Sequence, residues 1–153
     1  MSKRLVLIIT LLSTPIAYAQ HTKWWRGLTP NQQRAIDCEV AKDDESLARL
    51  LRPLGWGADR FPDNDWSTRY VVVIAPNLFH RGYHLGFIEE RKSDTTLEFR
   101  WSWVTPEASA NGTQNGGSVS IGEAHEGKEA IVVAFSREDL NGRTTTCSEV
   151  PLP

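Results

Sequence analysis

Two apolar patterns recur along this chain, and each predicts a different kind of strand. In residues 95–104, Leu97, Phe99, Trp101 and Trp103 alternate with Glu98, Arg100 and Ser102. That period of two sets every second side chain on one face, so the strand is half-buried. In residues 69–75, Tyr70-Val71-Val72-Val73-Ile74 runs unbroken, and residues 130–135 repeat its β-branched density. Such runs predict central strands covered on both faces. Residues 83–91 form a further strand, joined to 95–104 by Lys92-Ser93-Asp94, whose polar turn chemistry suits a hairpin. Residues 36–40 and 143–150 are short strands bearing Cys38 and Cys147.

One segment carries a helical period instead. Leu47, Leu50, Leu51 and Leu54 recur at helical spacing over residues 43–52, Asp43 or Asp44 supplies an N-cap, and Pro53 with Gly55 ends the run. Residues 55–68 read as a loop pinned to the core by Trp56, Phe61 and Trp66, and residues 105–118, rich in Asn and Gly, as a mobile loop. Residues 20–35 show no period and read as an N-terminal arm. Its Trp24-Trp25 pair either anchors a partner or folds back over the core. The expected architecture is mainly β (α+β): an antiparallel sheet or small sandwich with one N-terminal helix, in a single domain spanning residues 36–150.

The first 19 residues change the setting. Lys3 and Arg4, an apolar run from Leu5 to Leu12, Pro15, and Ala17-Tyr18-Ala19 follow the order of a cleavable signal peptide, and the run is too short for a bilayer. The expected location is therefore the periplasm or the extracellular space. Removing residues 1–19 takes away two cations and makes the formal net charge of −2 more acidic, which argues against a nucleic-acid partner. Cys38 and Cys147 would meet an oxidising compartment, and one disulfide between them is expected, with edge strands of one sheet meeting near the two ends of the domain.

From Ser67 to Phe135, the order STRYVVVIAP, RGYHLGFIEE, TTLEFRWSW and EAIVVAFS resembles the PrcB carboxy-terminal domain family. A small exported β domain, named after an accessory subunit of a bacterial surface protease complex, is what the resemblance implies. It implies no catalytic residues.

The remaining chemistry is sparse. His80 and His84 stand four apart, but Gly82 places them at a turn-to-strand junction where that spacing is no metal signature. Asp59, Asp63 and Asp65 lack the glycine and closing Glu of a calcium loop. No G-x-S-x-G elbow or phosphate-cradling glycine loop is present, and Asn111-Gly112-Thr113 is a bare glycosylation sequon. No catalytic residue, metal or cofactor is assigned. The expected function is a noncatalytic binding or accessory protein of the bacterial cell envelope, a partner or inhibitor of another exported protein. An exported hydrolase with an unrecognised site is the alternative. The binding surface is placed on residues 76–82 and 105–118, with Phe79, His80, Arg81 and Tyr83 as contact residues. Capping of the core by Leu78 and Phe79 is the competing reading.

Overall fold

The computed structural model describes residues 23–57, 64–105 and 127–151. Its elements in chain order are β1 (Lys23–Leu28), β2 (Ile36–Ala41), α1 (Asp44–Leu51), β3 (Arg69–Ala75), β4 (His84–Lys92), β5 (Thr96–Val104), β6 (Glu129–Ser136) and β7 (Thr144–Glu149). They form a four-stranded sheet in the order β1-β6-β3-β2 and a three-stranded sheet in the order β4-β5-β7. The mainly β fold with one helix and one disulfide is thus the observed one. β7 runs parallel to β5, while the other described pairings are antiparallel.

The unbroken apolar runs sort by parity. Val71, Val73 and Ala75 of β3 join Val132 and Ala134 of β6 against Leu47, Leu51, Leu54 and Trp56. Val72, Ile74, Ile131, Val133 and Phe135 meet Leu85, Leu97, Phe99, Trp101 and Trp103. The four-stranded sheet is therefore the middle of three layers, with α1 on one side and the three-stranded sheet on the other. Each fully buried Val or Ile in it contributes about 1.5–3 kcal/mol.

Local chemistry explains the helix. The Asp43 side chain accepts from Ser46 N at 2.7 Å, and the Ser46 hydroxyl oxygen accepts from Asp43 N at 3.2 Å, which closes a capping box. Those bonds hold the Asp43 carboxyl below the usual carboxylate range.

Two expectations are corrected. Residues 23–28, read as part of an N-terminal arm outside the domain, form edge strand β1, registered on β6 from Lys23–Ala134 to Leu28–Glu129. Trp24 is buried between the sheets, and Trp25 packs against the helix-side core. The aromatic pair hid the strand because a two-residue apolar signal carries no period. Gly27 also matters, since a Cβ there would lie 2.7 Å from the Trp56 ring.

Cys38 and Cys147 do form the disulfide, but the strands they join are edges of two different sheets. A register shift between Ile36 and Glu39 makes this possible. Unbulged alternation from Ile36–Ala75 would set Cys38 opposite Val73, toward the helix. The extra residue turns it toward the second sheet, with Cys38 itself at φ 55. Among the described residues, no helix is long and apolar enough to cross a membrane.

Candidate functional site

One end of the molecule gathers the chain segment singled out from sequence. β3 finishes at Ala75, β4 starts at His84, β1 finishes at Leu28 and β6 starts at Glu129, so residues 76–83 cross over this end. Both stems of that loop are fixed by buried polar groups.

The first anchor lies before Pro76. Gln32 is buried, and its Nε2 donates to the carbonyls of Ala75 at 3.0 Å and Arg34 at 2.7 Å. Its Oε1 accepts from the Thr29 hydroxyl at 2.7 Å, its carbonyl accepts from Lys128 Nζ at 3.2 Å, and Thr29 N donates to Lys128 O at 2.8 Å. Satisfied buried networks of this kind rigidify what they touch.

The second anchor lies just after Tyr83. Glu129 is 3% exposed and reaches from β6 to β4 in the other sheet. Its Oε2 accepts from Leu85 N at 2.6 Å, and its Oε1 lies 2.8 Å from His84 Nδ1 and 4.0 Å from Arg26 Nε. Arg26 in turn donates to Leu85 O at 3.2 Å. Burial lowers the Arg26 guanidinium from its ordinary value, and the Glu129 charge works against that shift. With Glu129 as the acceptor, Nδ1 is the protonated nitrogen of His84, and the ring is held in one orientation. Glu129, held by the His84 ring nitrogen and the Leu85 N–H and facing the Arg26 guanidinium, ties the two sheets together.

Between the anchors the chain turns out into solvent. Tyr83 N donates to His80 O at 3.0 Å, and Gly82, third in that turn, takes φ 80, the left-handed backbone that such a position favours for glycine. Asn77 also lies in the left-handed region at φ 60; its Nδ2 donates to Gln33 O at 3.3 Å, and its buried Oδ1 has no hydrogen-bond partner. Non-glycine residues held this way cost of order 1–3 kcal/mol each and cluster at functional loops. The His80 ring sits edge-on to Trp103 at 4.7 Å, and Trp103 is itself buried.

Of the residues proposed as contacts, Phe79 is 51% exposed, and Tyr83, His80 and Arg81 are exposed as well. Leu78, their neighbour, is 61% exposed. Leu78 and Phe79 therefore do not fill the core, contrary to the capping reading. The second proposed surface, residues 105–118, falls outside the described residues except for Thr105, as do Asp59, Asp63, His21, His125, the sequon and residues 1–19. His80 and His84 are not brought together on a shared ligand: one meets Trp103 edge-on and the other binds Glu129. Among the described residues, no three His, Cys, Asp or Glu side chains converge as a metal-ligand set.

Sequence reasoning missed Glu129, Arg26 and Gln32. The available signal was a lone acid at the head of the β-branched run 130–135, where an exposed strand cap is the ordinary expectation. Comparison with protein-family models, with curated proteins and with solved structures finds no match to this chain.

Proposed function

We propose that this chain is a noncatalytic binding or accessory protein of the bacterial cell envelope that grips another exported protein with the loop at residues 76–83. The observation that carries this reading is the display of Leu78 and Phe79 in solvent by a loop whose two stems are each fixed by a buried polar network. Large apolar side chains gain nothing from exposure, and rigid presentation lowers the ordering cost of association. Export is supported by the signal-like pattern of residues 1–19 and by the disulfide. The resemblance to the PrcB carboxy-terminal domain family belongs to the same proposal and agrees with an accessory role.

A photo-crosslinking amino acid placed at position 79, in the chain expressed in its own host, tests the reading directly. The same probe at Ile88, an exposed residue of β4, is the control. A discrete adduct with one envelope protein at position 79 and none at position 88 is expected. In the purified protein, Phe79→Ala should leave stability within about 0.5 kcal/mol. With the crosslinked partner in hand, the same change should weaken binding at least fivefold, the scale of an interface hot spot. Identical adducts at both positions, or a large melting drop for Phe79→Ala, would end this assignment.

A further inference from the structure

Charge is sorted between the two ends of this molecule. β1 finishes at Leu28 and β3 at Ala75, and β2, β4 and β6 begin at Ile36, His84 and Glu129, all at one end. The connections described there, residues 29–35, 76–83 and 127–128, carry Arg34, Arg81 and Lys128, with His80, and no Asp or Glu. The acids that follow along the chain sit inside strands: Asp37 in β2, Glu89 in β4 and the buried Glu129 at the head of β6. At the other end, the described connections 42–43, 64–68, 93–95 and 137–143 carry five acids, Asp65 and Asp139 among them, against three cations.

Hydrogen bonds gather the cationic connections around the loop at residues 76–83. Gln32 donates to Ala75 O and to Arg34 O, and its own carbonyl accepts from Lys128 Nζ. Asn77 Nδ2 donates to Gln33 O at 3.3 Å, which sets Arg34 next to the segment bonded to the start of the loop. Arg34 is exposed there, and Arg81 is exposed two residues after Phe79. Between them stand Leu78 and Phe79, the two most exposed large apolar side chains among the described residues.

Resting on the reading of residues 76–83 as a binding loop, we propose that its partner presents an acidic protein surface: an apolar pocket for Leu78 and Phe79, bordered by Asp and Glu side chains that face Arg34 and Arg81. A guanidinium fork matches a carboxylate with two parallel hydrogen bonds. The sorting of charge adds orientation, since an acidic surface draws in the cationic end and repels the other, and such steering acts mainly on the rate of association. Burial of the two apolar side chains then sets the lifetime of the complex. An anionic bilayer fits less well. It gains about 1 kcal/mol per Lys or Arg near its surface, and this end offers three of them in a chain whose formal net charge is −2.

The test uses the purified protein with a photo-crosslinking amino acid at position 79, irradiated briefly in an envelope extract of its host, so that adduct yield follows the rate of association. Raising the ionic strength from about 20 to about 300 mM should lower the yield about fivefold. Arg34→Glu/Arg81→Glu should lower it about tenfold at low salt, and its yield should then rise with salt, because screening relieves a repulsion. Arg34→Glu alone, outside the loop, should lose about threefold. Lys23→Glu, the same change of charge at the other end, should behave as the wild type. Thermal melts near that of the wild type establish that the variants are folded, and the salt dependence of the wild type stands whether or not they are. A wild-type adduct whose yield ignores both salt and charge reversal overturns the acidic partner and leaves the binding loop standing; no discrete adduct at position 79 defeats both. Sedimentation with phosphatidylglycerol vesicles but not with phosphatidylcholine vesicles, without a protein adduct, assigns this end to a membrane and overturns the proposal as well.

Discussion

The two sheets are built on opposite principles. β3 and β6, in the middle of the four-stranded sheet, are covered on both faces, by α1 on one side and by the second sheet on the other. The three-stranded sheet buries Leu85, Leu97, Phe99, Trp101 and Trp103 against the first sheet. Its outer face carries Glu89, Arg91, Glu98, Arg100 and Ser148, tied by an Arg100–Glu89 ion pair, an Arg91–Glu89 pair at 2.7 Å and a Ser148–Glu98 hydrogen bond at 2.7 Å. A sheet held from one side needs fastening at its edges, and this one has it at both. β7 is joined to β2 by the disulfide, and β4 is joined to β6 by Glu129. The first sheet is a consequence of hydrophobic burial, whereas the second depends on two specific cross-links as well.

The comparison can be broken most severely at Glu129. Glu129→Ala leaves Arg26 buried without its carboxylate and Leu85 N without its acceptor. The expected loss is about 3–5 kcal/mol, read from chemical denaturation. Hydrogen exchange should speed up first in β4 and the loop before it, with β3 and β6 protected until global unfolding.

Cutting the other fastening should cost less or about the same. The Cys38→Ala/Cys147→Ala double variant removes a link between residues 109 apart in sequence, and a loss of about 2–5 kcal/mol is expected. Thermal melts of the variant and of the reduced wild type should agree. A melt unchanged on reduction would show that Glu129 and the apolar interior alone dock the second sheet.

The smallest effect concerns pH and sharpens the picture of β4. A register shift after Phe87 pairs Glu90 with Phe99 and Lys92 with Leu97, which turns both charged residues toward the sandwich interior. There Lys92 Nζ meets Asp139 at 2.9 Å, in the 3-10 turn Arg137–Leu140 that precedes β7. Burial, the Asp139 charge and a hydrogen bond with Asp139 push the Glu90 carboxyl up to about 7. The folded protein therefore holds this proton more tightly than the unfolded chain, whose ordinary value is 4.5. Its stabilisation is complete below that value and is lost as pH rises to about 7. After allowance for solvent screening, the loss is of order 1–2 kcal/mol. Melting temperature should fall between pH 5 and 7 in the wild type by more than in Glu90→Gln. Parallel pH profiles for the two proteins would contradict a proton shared at this edge.

Exposed charges on a one-sided sheet and a charged, bulged edge strand also keep β4 from pairing with another chain. That role accounts for the density of Glu, Arg and Lys in residues 89–92.

Much of this architecture is legible in local pattern. The unbroken run at residues 70–74 places β3 in a covered position, the alternation at 97–103 makes β5 one-sided, and Asp43 followed by Leu47 and Leu51 starts a helix. These follow from sequence because burial period and capping act over a few residues. The loop at residues 76–83 is legible for the same reason, since Pro76, Gly82 and the strands on either side mark it. Glu129 is different. As the residue before Ala130 it looks like an exposed cap, and only the docking of two sheets brings it to His84 and Leu85, 45 and 44 positions away. Strand β1 likewise exists because β6 offers it an edge, and the side on which Cys38 points depends on one extra residue in β2 whose effect appears only against the register of β3. A bulge reverses the face of every residue beyond it, and a buried ion pair forms only where packing has already excluded water, so both are decided by contacts between distant segments.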